Sequence, residues 1–598
     1  MSITQKAVFR GAGDLEERLR PLLRRVRRPG RYVGGEFNLR LKPAAEPLVV
    51  LSYPDVYEIG ISNPALQILY SHVNDRTAAV AERAYCPWPD MASLMRDADL
   101  PLWTLESGRP VREAQVWGFT LPHELTFTNV LEMLDLAGVP IMAADRREDD
   151  PVVVAGGPAV AHPLSLSPFV DAFFAGEVEP WVDRLVAAAA CGRRTDRIAA
   201  LADVPGVWVP GRGEGPVPRQ VHTAFSTCTP VTRPLVPVLE AVHDRAVIEV
   251  MRGCSAGCRF CQAGMWYRPV RELPVATVVA AAEDLLRETG CDEVSLVSLS
   301  SCDYSGVVEA VTAIRELRPG VRVSLPSLRV DSAAVKLAAL GARQRGSVTL
   351  APEAATEPLR ATINKHVDDT QLEEATSAVF RGGYTGLKLY FMIGLPGETD
   401  ADATHIASVA AATARQAREI AGGRARVSVS VSTFVPKAAT PFAAEPFVGT
   451  ETVRRRQQMV RDAWPRGVRL STHDVGTSLV EAVLARGGVE AAVLVREAWH
   501  RGARFDGWSE HFSLEVWQAA ARSIGMDLEE AARTEPAASP IDPLLDEAFL
   551  SREQERAAAG VRTQDCRTSA CTSCGVCAGP IRMDLRPTGT TQSIGRGL

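Results

Sequence analysis

The chain has 598 residues, of which 46% are hydrophobic and 23% charged, and its formal net charge is −6. That length can bury several cores and predicts about three or four domains. The charge balance excludes a globally basic nucleic-acid binder. No apolar stretch is long enough to span a bilayer and no apolar leader follows Met1, so a cytoplasmic protein without membrane partners is expected. Seven of the 12 cysteines fall in two tight clusters, a pattern of metal binding in a reducing compartment rather than of disulfides.

Residues 1–45 form a basic extension. Arg18, Arg20, Arg24, Arg25, Arg27 and Arg28 surround Leu19, Leu22, Leu23 and Val26 over 15–31, which predicts a short amphipathic helix kinked or begun at Pro21 and stopped by Pro29-Gly30. Its basic face is either solvated or a patch for RNA or an anionic substrate.

Residues 46–200 alternate strands (48–52, 116–121, 152–155, 169–174) with helices near 63–73 and 125–137. Apolar strands in that alternation predict a parallel doubly wound sheet, whose ligands bind beyond the carboxyl ends of the strands. Asp55 and Asn63 fall in one such loop, the turn Gly156-Gly157-Pro158 in a second and Gly176-Glu177 in a third. This order resembles the Rossmann-like cobalamin-binding domain that precedes many radical S-adenosylmethionine (SAM) barrels. The resemblance implies cobalamin contacts at Asp55, Asn63, Gly156, Gly157 and Gly176, with the loop 55–63 and the stretch 120–129 as candidate segments. The D-x-H-x-x-G motif that supplies an axial histidine elsewhere is absent, so the lower corrin face would meet another side chain, water or nothing. The alternative is a domain kept for packing or substrate capture, without a corrin.

Residues 201–243 are rich in Pro, Gly and Val and read as a linker. From 244 to 470 the alternation resumes, with strands at 246–251, 293–298, 321–325, 348–350, 386–393 and 426–433. The first strand feeds RGCSAGCRFCQAGMWYRPVRE, in which Cys254, Cys258 and Cys261 stand as C-x3-C-x2-C. Three thiolates on one loop can hold three irons of a [4Fe–4S] cube and leave the fourth iron open. A structural zinc loop would want a fourth ligand, and the nearest histidines are His243 and His366. The spacing resembles the radical SAM superfamily, and six strands fit its partial (β/α)6 barrel, with chemistry at the carboxyl ends of the strands.

Four loops fit that placement. Ser300-Ser301-Cys302-Asp303-Tyr304 follows the second strand, where the superfamily holds the methionyl amine. Glu353 ends the fourth and suits ribose hydroxyls. Gly394, Gly397 and Glu398 end the fifth, where backbone can approach adenine or methionine. Lys437 follows the sixth and could neutralise a carboxylate. Tyr304 and Cys302 suit hydrogen-atom or proton transfer, or plain burial. Glu272 suits a salt bridge with Arg268 or Arg271, or a cap on the open iron.

Residues 471–560 are helix-rich, with His473, Asp506, Glu510 and His511 expected near the barrel mouth or as surface and capping residues. The stretch 529–559 is acidic and reads as a mobile connection. The tail, 561–598, carries Cys566, Cys571, Cys574 and Cys577 as C-x4-C-x2-C-x2-C, which suits a second [4Fe–4S] cluster or a zinc ion.

With YPDVYEIGISN, CPWPDM, CRFCQAGMWYRPVRE, SLSSCDY, VSVSTFVPKAATPF, ARFDGWSEHF and the cysteine-rich tail together, the chain resembles a bacterial family of uncharacterised B12-binding-domain radical SAM proteins. That resemblance implies an α/β chain with a radical SAM barrel, SAM cleavage at a [4Fe–4S] cluster, and cobalamin-dependent methyl transfer to an unactivated carbon. It also implies an electron donor such as flavodoxin or ferredoxin and an unnamed small-molecule or macromolecular substrate. The alternatives are a corrin-free radical rearrangement or RNA modification, and a non-catalytic iron–sulfur and cobalamin sensor.

Overall fold

The computed structural model describes residues 13–42, 46–213, 215–242, 245–326, 330 and 346–585. Parts of the expected N-terminal extension (1–12, 43–45), His243 and tail residues 586–598 lie outside them. The chain divides into two units. The first comprises Met1–His222, Arg233–Asp244 and Leu479–Leu544, and the second Thr223–Thr232, Arg245–Ser478 and Leu545–Leu598.

In the first unit six strands form one sheet: β1 (Leu48–Tyr53), β2 (Val80–Tyr85), β3 (Val116–Thr120), β4 (Val152–Gly156), β5 (Ala172–Phe174) and β6 (Val207–Trp208). The order is β2-β1-β3-β4-β5-β6, with only the β5–β6 pair antiparallel. β1 is buried along its whole length, as expected of a parallel strand covered on both faces. The helix Pro64–Arg76 follows it, started by proline in its first turn and by the Asn63 carboxamide oxygen, which accepts from the Leu66 N–H at 3.1 Å.

β2 escaped the sequence reading because Glu82 and Arg83 interrupt its apolar pattern. Both are buried. Arg83 lies between Glu36 (3.0 Å) and Glu106 (2.5 Å), and Thr104 and Ser107 donate to Glu82. Charge is thus neutralised inside a strand that composition alone would reject.

The helices Val489–His500 and Leu514–Ser523 belong to this same unit. Trp499 Nε1 donates to Glu132 at 3.1 Å, and Ser165 Oγ to the Leu484 carbonyl at 2.7 Å. The expected linker and mobile connection are also tied down. Val217–Pro218 pairs in parallel with Ile541–Asp542, and Arg219 donates to the Pro543 carbonyl. The basic N-terminal helix, Gly13–Leu23, contains Pro21 and buries Leu15, Leu19 and Leu22. Arg18 donates to the carbonyls of Ala98 and Asp99, and Arg28 and Arg31 pair with Glu58.

The second unit holds two parallel sheets. One has order β9-β8-β7, from β7 (Ala246–Glu249), β8 (Glu293–Val297) and β9 (Arg322–Ser324). The other runs β10-β11-β12-β13, from β10 (Ser347–Glu353), β11 (Gly386–Ile393), β12 (Arg426–Thr433) and β13 (Arg469–Thr472). The six expected strands are present among the described residues, and β13 extends the second sheet. Its four residues are exposed or half-buried, so no apolar run marked it. β11 and β12 alternate buried aliphatic positions with more accessible Lys388, Tyr390, Ser428, Ser430 and Ser432. One face packs against helices such as Asp400–Ala421, and the other is mostly polar, with Met392 its apolar member near the strand end.

Candidate functional site

The loop after β7 closes on itself. Met251–Arg252 pairs antiparallel with Arg271–Glu272 at its base. Gly253 sits at φ +88°, and a Cβ there would stand 2.4 Å from the Pro269 oxygen and 2.6 Å from that of Tyr267, so only glycine allows the crossing. Side chains then brace the loop. Asn364 Nδ2 donates to the carbonyls of Ala256 (3.2 Å) and Gly257 (3.0 Å). Arg259, fully buried, donates to the carbonyls of Ala361, Thr362 and Val561 and pairs with Glu553 at 3.0 Å.

Cys254, Cys258 and Cys261 are half-buried on this braced loop. Burial pushes the Cys261 thiol up to about 12, with Cys258, Cys254 and Glu353 adding to the rise and the Gly264 N–H, 3.3 Å from its sulfur, opposing it. The three thiols and Glu353 therefore share one electrostatic neighbourhood. Among the described residues no group of three or more His, Cys, Asp or Glu is arranged to hold a single metal ion. A cubane makes a different demand, since each thiolate binds its own iron.

Glu353 ends β10 in the left-handed region (φ 68°), where the β10–β11 register shifts. Burial raises its carboxyl and Lys365, 3.4 Å away, counteracts this. Two further carboxyl-end hydroxyls stand out. Ser301 Oγ, and Thr433 Oγ1 at the end of β12, are buried with no hydrogen-bond partner. Such groups are costly unless a ligand or water satisfies them. Thr433 was missed in the sequence because one threonine at a strand end carries no signal.

Other expected residues have roles within the protein. Ser300 donates to Asp303 at 2.6 Å, and Cys302 is buried 3.9 Å from Ser300 Oγ. The Tyr304 hydroxyl donates to the Leu273 carbonyl at 2.8 Å, which ties it to the loop base. Glu272 accepts from the Ser305 N–H at 3.0 Å and from its hydroxyl. These bonds clasp the base of the cluster loop to the segment after Tyr304. Glu398 likewise turns inward: its carboxylate accepts the Gly394 N–H at 2.5 Å and pairs with Arg456 at 2.5 Å, and burial pushes it up to about 7. It braces the loop of Gly394 (φ +87°) and Gly397 (φ +75°). A Cβ on Gly397 would meet nothing within 4 Å, so that glycine fronts open space. Lys437 is half-buried just past β12.

The tail cysteines also lie in this unit. Burial pushes the Cys566 thiol up to about 11, with Arg268 opposing and Asp565, Cys574 and Cys577 reinforcing the shift. Cys571 and Cys577 are exposed.

In the first unit the strand order places the topological switch point between β1 and β3, where a ligand crevice is expected. Residues of this same unit fill it. Trp508 Nε1 donates to Asp55 at 3.0 Å, the Phe505 N–H donates to Asn129 at 2.7 Å, and Asn129 donates to the Pro54 carbonyl. Burial pushes Asp55 up to about 6, opposed by the Val56 and Trp508 hydrogen bonds. Asp506 accepts from Thr128 and Trp517, and His511 lies edge-on to Trp88 with centroids 4.5 Å apart. Asp506, Glu510 and His511, expected near the barrel mouth, thus belong to the first unit. A Cβ on Gly157 would stand 2.6 Å from the Leu121 oxygen and one on Gly176 2.2 Å from that of Gln220, so both glycines admit neighbouring backbone. Gly156 makes only ordinary contact with the Phe174 oxygen, and Asn63 is a helix cap. The five residues expected at a corrin therefore form no vacant cradle.

Residues 65–210 match the family described as radical SAM proteins, N-terminal, and residues 248–410 match the radical SAM superfamily. An uncharacterized protein of Methanocaldococcus jannaschii, MJ0966, is 25% identical over 444 residues, covering 73% of this chain and 88% of its own. Among solved structures, that of the radical S-adenosylmethionine methyltransferase TsrM from Kitasatospora setae, with cobalamin and a [4Fe–4S] cluster bound, is similar at a TM-score of 0.47 and 16% identity, covering 64% of this chain and 75% of that one. The cobalamin-dependent SAM radical enzyme OxsB, with aqua-cobalamin and SAM bound, is similar at 0.48 and 14%, covering 86% and 84%. No helix among the described residues is long and apolar enough to cross a membrane.

Proposed function

We propose that this chain, which carries both radical SAM family domains, cleaves SAM reductively and functionalises a substrate C–H bond. The observation that carries this is the braced three-cysteine loop beyond β7, with Glu353 in the electrostatic neighbourhood of Cys261. The superfamily match implies SAM and a [4Fe–4S] cluster, which together supply a 5′-deoxyadenosyl radical when bound.

Cys254, Cys258 and Cys261 would ligate three irons, and the loop's bracing by Arg259 and Asn364 fixes the spacing of their thiolates. Ser301 and Thr433 offer buried hydroxyls with unused hydrogen-bonding capacity, and Glu353 offers a carboxylate for ribose hydroxyls. Gly397 leaves room for a ligand at its loop. Lys437 would balance a carboxylate of SAM or substrate. An electron donor of the flavodoxin or ferredoxin class would reduce the cluster, and a cytoplasmic location would keep the thiols reduced. The tail cysteines would hold a second metal centre.

Cobalamin-dependent methyl transfer finds support in one feature, the β2-β1-β3-β4-β5 order with its switch point, although Trp508, Phe505 and Asn129 occupy that crevice. Asp55, Asn63, Gly157 and Gly176 are engaged with their own chain, so a corrin would have to displace the contacts made at the first two. Anaerobic incubation with SAM and a strong reductant tests the main proposal: 5′-deoxyadenosine should form. Corrin absorption bands and S-adenosylhomocysteine would add methyl transfer, and nucleoside without either would leave radical chemistry alone.

A further inference from the structure

The cysteine-rich tail is anchored to the cluster loop on both sides of its thiols. Ahead of them, the Thr563 N–H donates to Asn364 at 2.8 Å, Arg259 reaches the Val561 carbonyl and Thr563 Oγ1, and His366 bonds the Thr563 carbonyl at 2.8 Å. Arg567, the residue after Cys566, reaches the Asp303 carbonyl at 3.1 Å and its carboxylate at 3.4 Å. Behind the thiols, the Asp584 N–H donates to Val270 and the Glu272 N–H to Asp584, both at 2.9 Å, while Ser226 bonds the Asp584 carboxylate.

Between these anchors the chain turns tightly. Ser573 (φ 54°) and Gly575 (φ 90°) are left-handed, the Ser573 N–H points at the Cys571 sulfur at 3.4 Å, and the Cys574 carbonyl is held by the Asp546 N–H at 3.0 Å. Arg268, a buried residue of the cluster loop, donates to the Gly264 carbonyl and lies over the Phe549 ring, 5.4 Å from its centroid.

We infer that Cys566, Cys571, Cys574 and Cys577 ligate a second iron–sulfur cluster, seated against the loop that carries the first. The second metal centre proposed above is thereby assigned as iron–sulfur rather than zinc. All four donors are thiolates within one short segment. Cys571, Cys574 and Cys577 follow the C-x2-C-x2-C run used for iron–sulfur binding, whereas structural zinc sites commonly draw on two separated pairs. Backbone N–H donation to a sulfur suits a cluster that carries negative charge.

The test is metal and sulfide analysis with electron paramagnetic resonance on full-length, anaerobically reconstituted protein. The wild type should hold about eight irons and eight sulfides per chain, and the Cys571→Ser/Cys574→Ser variant about four. The reciprocal chain, with Cys254, Cys258 and Cys261 changed to Ala and the tail intact, should retain about four irons and a reducible cluster signal. It reads the tail alone, so it decides the matter even if the tail variant misfolds or SAM is never cleaved. Zinc in place of tail iron, or no iron in the reciprocal chain, would overturn the inference.

Discussion

Asn364 and Thr563 face each other through two hydrogen bonds, Asn364 Nδ2 to the Thr563 carbonyl at 3.2 Å and the Thr563 N–H to Asn364 Oδ1 at 2.8 Å. The same carboxamide reaches Ala256 and Gly257. One buried side chain thus fixes both the cluster loop and the tail. Asn364→Ala should cost about 3 kcal/mol, because it strands several buried backbone groups. Thermal unfolding together with iron retention checks this. An unchanged melting point and full iron would show that the pairing is idle.

Gly253→Ala adds a side chain to a left-handed residue pressed on two carbonyls. The loop must open to accept it, so the variant should lose most of the iron bound by Cys254, Cys258 and Cys261. Its circular dichroism should stay near that of the wild type, since the sheets are untouched. Iron content per folded chain is the measurement.

Ser301→Ala and Thr433→Val remove buried hydroxyls that have no partner in the protein. Each should leave stability unchanged or raise it slightly, yet increase KM for SAM by roughly tenfold, the equivalent of about 1.4 kcal/mol. Hydroxyls that were merely packed would give the stability effect without the KM effect.

How far the sequence foretold these features depended on whether the relevant physics was local. The cluster loop was readable because ligand spacing is written in consecutive residues, and β1, β11 and β12 because burial of parallel strands demands sustained or alternating apolar residues. β2 was hidden because Arg83 is neutralised by Glu36 and Glu106, residues far from it in sequence. Trp508 gave no hint that it would meet Asp55 across more than 400 positions. Glu398 looked like a ligand contact because its pairing with Arg456 depends on tertiary packing.

Arg83→Met should destabilise the first unit by roughly 4 kcal/mol, since it leaves buried carboxylates uncompensated. Denaturant unfolding would reveal the loss. A near-neutral result would mean that the carboxylates take up protons without penalty.

Burial raises Asp55 from 3.8 to about 6. The folded state therefore holds this proton more tightly than the unfolded state. Its contribution is complete below pH ~4 and is lost as the pH rises through about 6, at a cost of about 3 kcal/mol. Asp55→Asn should therefore gain stability relative to wild type between these limits, with a melting-temperature difference that grows with pH. A difference independent of pH would show that Asp55 ionises normally.

The most direct measurement is 5′-deoxyadenosine formation from SAM under anaerobic reduction, comparing wild type with the chain in which Cys254, Cys258 and Cys261 are all alanine. The wild type should release the nucleoside and the variant should release none above the protein-free background. Equal nucleoside from both, with equal iron, would contradict a SAM-cleaving cluster on the loop beyond β7.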